Sequence, residues 1–408
     1  MEKRSIAFLA SQAFVNIGDT SSQIAVFWTA LSIGGSAISL GTLGAAWTLT
    51  MAVMGYISGS VADRFDRKTL LVVLESLLGF LSLIMFALAS AGILSLWHLW
   101  VFLLAESILG TPFSFALSTM LPDLIGKERL LRVNAALGSW GQIDNLAEAA
   151  IAGIIIAAWG PAPIFLIHGV TFLVGAAGAL LVRDPRKYAD AVLPKWTLGE
   201  DLRIVVHFFR SNRVFLKNTI LSSVGDLAYA PLFYAGPLVA SVVGSGPEGY
   251  GFFESLMIAG TLATGLATTV LASRLPKAKS WVMGSLLFSS MFVVLGFWLS
   301  YPGALVAFFL IGVGLSGGRL FGKTLVQQAL PSEVRGRISG IEWFVGGALQ
   351  PISISLAMLL VDRGDLRWIL VGLGAFLVCT ALVRATILPL DDHRWKAHWK
   401  DSSCSTNT

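Results

Sequence analysis

Apolar stretches of about twenty residues, parted by short polar breaks, recur along the whole chain. A bilayer core about 30 Å thick is crossed by roughly 20 residues of helix, so each stretch is long enough to span. Twelve can be marked, at approximately 5–33, 37–62, 69–93, 96–120, 134–158, 161–183, 214–242, 250–273, 280–300, 303–328, 338–361 and 367–388. Composition agrees: 55% of the 408 residues are hydrophobic and 13% charged, against about a quarter charged in soluble domains. Such a chain has too little polar cover for a water-facing surface, and it reads as an all-α protein of the lipid bilayer.

The net charge of +5 does not mark a nucleic-acid partner, because the basic residues fall between the apolar runs, where they act as topology signals. Short connections such as Gly34-Gly35-Ser36, Gly160-Pro161 and Tyr301-Pro302 alternate with charged ones. Arg64, Arg67 and Lys68 follow span 2; Lys127, Arg129 and Arg132 follow span 4; Arg274, Lys277 and Lys279 follow span 8; Arg335 and Arg337 follow span 10. Only Arg363 and Arg367 fall on the opposite side, so both termini are expected in the cytoplasm. Lys3 and Arg4 open a run that continues to about Ile33 and holds Asn16 and Asp19, which reads as an uncleaved first helix and not as a signal peptide.

The longest polar segment, 184–213, separates six spans from six, giving an expected bundle over 1–183, a cytoplasmic linker, a second bundle over 214–390 and a tail over 391–408. Leu198, Leu202, Val205 and Phe209 lie at helical spacing in the linker, which predicts an amphipathic helix on the membrane face. The halves repeat. Gly18-Asp19 in span 1 is echoed by Gly225-Asp226 in span 7, and Leu121-Pro122 by Leu330-Pro331, at nearly one offset. Parallel repeats of six helices are the plan of one large class of transporters.

The loop after span 2 reads Gly59-Ser60-Val61-Ala62-Asp63-Arg64-Phe65-Asp66-Arg67-Lys68. It resembles the signature loop of the major facilitator superfamily, with Asp66 where that pattern prefers glycine. Leu121-Pro122-Asp123-Leu124 and Pro331-Ser332-Glu333-Val334-Arg335-Gly336-Arg337 resemble the branch holding siderophore exporters and macrolide efflux proteins. The resemblance implies twelve transmembrane helices in two pseudo-symmetric six-helix bundles. It also implies that Gly59, Asp63, Arg64, Arg67 and Lys68 form a cytoplasmic gate, Gly59 by allowing close helix approach and Asp63 by meeting a helix N-terminus. The plainer reading keeps the basic members as topology-setting positives.

An ionisable residue at the bilayer centre costs at least about 2.5 kcal/mol, so each one asks for a reason. Asp19, Glu106, Asp226 and Arg319 lie within spans 1, 4, 7 and 10, which in the resembled fold line the central cavity; Asp144 and Glu148 lie four apart on span 5. Two carboxylates so placed do not both stay ionised easily in low dielectric, so a proton is expected to be shared between them. That is the chemistry of proton-coupled transport. Fixed polarity of the cavity is the alternative. Asp19 and Asp226 suit a cation site, or brace a bend beside their glycines; Arg319 suits an anionic cargo group, or the neutralisation of Glu106 or Asp226. Trp140 is a candidate for stacking on cargo. Glu75, Glu342, Lys323 and Arg384 lie near the cytoplasmic ends and are read as snorkelling, Glu254 as a wet residue at an outer helix end, and His98 and His168 as interface residues.

The function these features point to is secondary active efflux of small amphiphilic or cationic compounds, exchanged for protons by alternating access. An importer, facilitator or lysolipid flippase of the same fold, or a non-transporting sensor, fits the helix count equally. An enzyme is disfavoured, since no nucleophile, base or triad pattern is present, and no Gly-x-x-x-x-Gly-Lys-Ser/Thr loop marks a nucleotide-driven pump. The two cysteines, Cys379 and Cys404, form no metal-binding spacing, and no metal or cofactor is expected. The expected partners are a small-molecule substrate, protons and the bilayer; the expected setting is a bacterial inner membrane, with the chain a monomer.

Overall fold

A computed structural model of the chain describes residues 3–125, 127–182, 209–210, 213–271, 275–329 and 332–387. Among these residues the structure is helical, without strands. In chain order the helices are α1 (Lys3–Val15), α2 (Asp19–Gly34), α3 (Ala37–Arg64), α4 (Arg67–Ser90), α5 (Leu96–Ile125), α6 (Lys127–Trp159), α7 (Ala162–Leu180), α8 (Arg213–Phe233), α9 (Ala235–Val242), α10 (Gly246–Leu271), α11 (Lys277–Phe297), α12 (Tyr301–Ala329), α13 (Ser332–Arg363) and α14 (Leu366–Ile387). Each expected span falls on a helix or on a pair of them. The amphipathic helix expected in the linker lies almost wholly outside the described residues.

Eight helices among the described residues are long and apolar enough to cross a membrane on length and composition alone. The first span does not qualify because it is broken into two helices of 13 and 16 residues, neither of which reaches the needed length, and the seventh is broken in the same way. The first break lies at Asn16–Gly18, where Gly18 takes φ 132°. The second lies at Tyr234, between Pro231 and Pro237, where prolines remove two backbone donors from the helix ladder.

The outward faces show which solvent the helices are built for. On α4, Val73, Leu77, Phe80 and Ile84 lie at helical spacing and are exposed, while Leu71, Glu75, Leu78, Ser82 and Met85 are buried. A helix with its apolar stripe outside and its polar atoms inside suits lipid on one side and protein on the other. Without a hydrophobic drive between helices, close packing comes from small residues. Gly79 on α4 and Gly169 on α7 meet so closely that a Cβ on either would stand 3.0 Å from the other's carbonyl oxygen.

The chain forms two compact units. The first takes Met1–Pro194 together with Gly236–Ser255, and the second Lys195–Ala235 together with Leu256–Thr408. Inside the first, Phe8, Leu71, Ala116, Met120, Ala179 and Val182 make one core where α1, α4, α5 and α7 meet, and Val15, Leu78 and Phe172 make another. The start of α10 lies against α6 in this unit: the Ser255 hydroxyl donates to the Leu146 carbonyl at 2.7 Å, and the approach of Gly153 to Pro247 leaves no room for a Cβ.

Inside the second unit, α11 packs on α12 through Gly284, Gly314 and Gly318, and on α14 through Gly296 and Gly374. Arg384 of α14 is buried within it. Its guanidinium donates to the Ser222 hydroxyl of α8 at 3.0 Å and lies 4.7 Å over the Trp281 ring of α11. The expectation that Arg384 snorkels to the membrane surface is therefore corrected: serine hydroxyls and an indole face give the cation partners inside the bundle, so it need not reach water.

Candidate functional site

The break between α1 and α2 organises the polar interior of the first unit. At φ 132° a side chain is strained, and a Cβ on Gly18 would also stand 3.1 Å from the Cα of His168 on α7. Glycine therefore lets the chain both turn and pass close to α7. The break leaves the amino end of α2 with donors that its own cap does not meet: Gly18 offers no side chain, and its N–H donates instead to the Glu148 carboxylate of α6. The Ser21 hydroxyl donates to the same Glu148 oxygen at 3.1 Å, and the Thr20 hydroxyl donates to Asn145 Oδ1 at 2.9 Å.

The expected pair on α6 is thus placed in full. Asp144 and Glu148 are both buried, and Glu148 meets the broken helix at Gly18 and Ser21. Glu148 serves as a replacement cap for α2, a role that a spacing argument does not reveal. One oxygen of each carboxylate, Asp144 Oδ2 and Glu148 Oε2, is buried with no hydrogen-bond partner among the described residues.

Asp19 and Glu106, expected on two different spans, come together, and the residue that joins them is His168. One ligand-capable atom from each of Asp19, Glu106 and His168 lies within 4.8 Å of the other two. His168 Nε2 stands 3.7 Å from Glu106 Oε1, and the Ser22 hydroxyl points to the same oxygen at 3.5 Å. Burial increases through the group: Asp19 is exposed, Glu106 is 12% exposed and His168 is fully buried. The expectation that His168 is an interface residue is overturned, because α7 turns it inward onto α4 and α5 and away from lipid. By contrast, His98 does sit at a helix end, with Nδ1 accepting from the Ser95 N–H at 3.1 Å and its ring against Trp97.

The tautomer of His168 follows from its neighbours. The Ser82 hydroxyl donates to the Leu78 carbonyl at 2.9 Å, so its oxygen is left to accept from His168 Nδ1, 2.6 Å away. A proton on Nδ1 leaves a lone pair on Nε2, directed at Glu106. Phe102 and Phe172 pack on the ring at centroid distances of 6.0 and 4.7 Å and fix its plane.

Two further carboxylates differ from expectation. Glu75 does not snorkel: it is fully buried on α4 against Gly175, and accepts a hydrogen bond from the Gln12 amide at 2.9 Å. Glu254 is not wet but buried, lying against Gly236 and the start of α9. In both places a glycine opposite makes room for the carboxyl.

In the signature loop, Asp66 caps α4 by accepting the Thr69 N–H at 2.7 Å, so the departure from glycine supplies a helix cap. Arg67 is buried at the first turn of α4, and Lys68 donates to the Leu180 carbonyl, the last of α7, at 2.7 Å. A cation there suits the negative end of a helix. Arg319 is exposed on α12. The side chains of Asp63, Arg64, Trp140, Asp226, Glu342 and Lys323, and the packing at Gly59, lie outside the described residues.

Comparison with known proteins agrees with this architecture. Residues 9–353 match the family described as Major Facilitator Superfamily. The chain is 27% identical to the uncharacterized MFS-type transporter YfiS of Bacillus subtilis, covering 94% of this chain and 91% of that one. It is 24% identical to macrolide efflux protein A of Streptococcus pyogenes, over 92% and 93% of the two chains. Among solved structures, a mutant of the nucleoside transporter NupG superposes with a TM-score of 0.79 at 11% identity, over 95% of this chain and all of that one. A family match over residues 9–353, most of the chain, makes this protein a member of the major facilitator superfamily.

Proposed function

We propose that the chain is a secondary active exporter of small amphiphilic or cationic compounds, driven by protons that enter as cargo leaves. The observation that carries the reading is the pair of buried carboxylates on α6, Asp144 and Glu148, each with an unpartnered oxygen inside a membrane span. A proton on Glu148 weakens it as the acceptor for the Gly18 N–H and the Ser21 hydroxyl. Proton arrival at α6 thereby loosens the hold on the α1–α2 break, and a titration becomes a change in helix geometry. The similarity to a macrolide efflux protein favours outward transport of a bulky amphiphile. The reading places the chain in a bacterial inner membrane as a monomer with both termini inside, its halves alternating access. It includes Asp63 as a gate residue and Asp226, Arg319 and Trp140 as cargo contacts.

The test is proton flux into proteoliposomes holding an internal pH dye, challenged with organic cations, macrolides, siderophores and lysolipids. One class is expected to drive proton movement that Asp144→Asn abolishes while the variant stays folded and inserted. If a labelled compound crosses with no proton movement, the carboxylates are fixed polarity and the chain is a facilitator or flippase.

A further inference from the structure

We propose that Asp19, Glu106 and His168 form a binding site for a divalent transition-metal cation, separate from the Asp144–Glu148 pair to which proton coupling is assigned. The three residues come from α2, α5 and α7, and each turns one ligand-capable atom into a common space, all within 4.8 Å of one another. A first-row cation with bonds of about 2.0–2.2 Å holds neighbouring ligand atoms roughly 3–4 Å apart. His168 Nε2 and Glu106 Oε1 already stand at 3.7 Å, too far for a hydrogen bond and suited to a shared ion.

The observation that separates this group from a chance meeting of carboxylates is the histidine. His168 is fully buried, and its Nε2 has no hydrogen-bond partner among the described residues. An imidazole nitrogen left so is costly unless something takes its lone pair. Ser82 fixes that lone pair in place by accepting the Nδ1 proton, since its own proton goes to Leu78. Metal-binding histidines are usually held this way, the second nitrogen donating to an outer partner that sets the tautomer and the ring orientation. The Phe102 and Phe172 rings complete a rigid setting.

The donor set decides the kind of cation. One imidazole and two carboxylates suit Mn²⁺, Fe²⁺, Co²⁺ or Zn²⁺, whereas Ca²⁺ and Mg²⁺ favour oxygen alone. Two carboxylates also match the ion's charge. Three protein ligands leave a coordination position for water or for a donor atom of a cargo molecule. The exposed Asp19 gives the group an open side, so an ion can exchange. The site lies inside the membrane span: Glu106 is ten residues into α5 and His168 six into α7, so each stands roughly 10–15 Å from the helix end.

The experiment uses untagged, full-length protein, purified in detergent and stripped of metal, titrated with Co²⁺ by visible absorption and with Zn²⁺ by calorimetry. The expected result is saturable binding with Co²⁺ ligand-field bands. Glu106→Gln and Asp19→Asn, both near-isosteric and checked for monodispersity, weaken binding by about tenfold or more, and Ser82→Ala, which frees the ring, by about tenfold. Absence of saturable binding in the parent, or affinity unchanged in both Glu106→Gln and Asp19→Asn, overturns the proposal. The readout is distinct from proton flux, so failure of the metal site leaves the export reading standing, and loss of proton exchange in Asp144→Asn says nothing against the metal.

Discussion

Gly18 meets two demands that no other residue satisfies together. Its φ of 132° is open to glycine and strained for a side chain, and its Cα hydrogen faces the backbone of His168. Gly18→Ala is expected to cost about 1–3 kcal/mol and to lower the melting temperature of the purified protein by several degrees; an unchanged melting curve would show that the break tolerates a Cβ. Asp66 offers a milder test at the same scale. Because its carboxylate caps α4 at Thr69, Asp66→Ala should cost about 0.5–2 kcal/mol and Asp66→Gly only a few tenths. Equal losses in the two variants would mean that the aspartate acts through its charge and not as a cap.

Helices in this fold are joined by glycine contacts and by a small number of buried polar links, and the links are where an element is most easily released. Arg384 ties α14 to α8 through Ser222 and to α11 through the Trp281 face. Arg384→Met keeps much of the volume and removes the charge-assisted bond and the ring contact, for an expected loss of about 2 kcal/mol or more, read as thermal stability in detergent. Stability equal to the parent would return Arg384 to the role of a surface cation. Glu148 does the corresponding work in the first unit, where it replaces the missing cap of α2. Glu148→Gln retains an acceptor oxygen and is expected to leave the fold intact while removing proton coupling, measured by dye flux in the same proteoliposomes. Coupling that survives in both Glu148→Gln and Asp144→Asn would move the proton site off α6.

For the whole molecule, the proposed alternating access has the halves exchange contacts, and the signature loop is where the family resemblance puts that exchange. Asp63→Asn is expected to slow turnover and leave cargo affinity unchanged, as a gate residue should; a large loss of affinity would place Asp63 in the cargo site. Arg67 and Lys68 behave differently from simple topology markers, since one is buried and the other holds the end of α7. Lys68→Met should therefore reduce stability as well as any orientation preference.

Hydropathy adds up along the chain without knowledge of any contact, so the twelve spans, the lipid setting and the signature loop could all be read in order from the residues. The α6 pair was legible for the same reason: four residues along a helix is one face, wherever that helix goes. The Asp19–Glu106–His168 group was not, because its members come from three helices whose rotation and depth decide whether they meet. His168, seen alone, had only its place near a helix end to speak for it. Packing turned it inward, and the break at Gly18 brought Asp19 to it. Local pattern assigns residues to helices; only the packed bundle assigns them to one another.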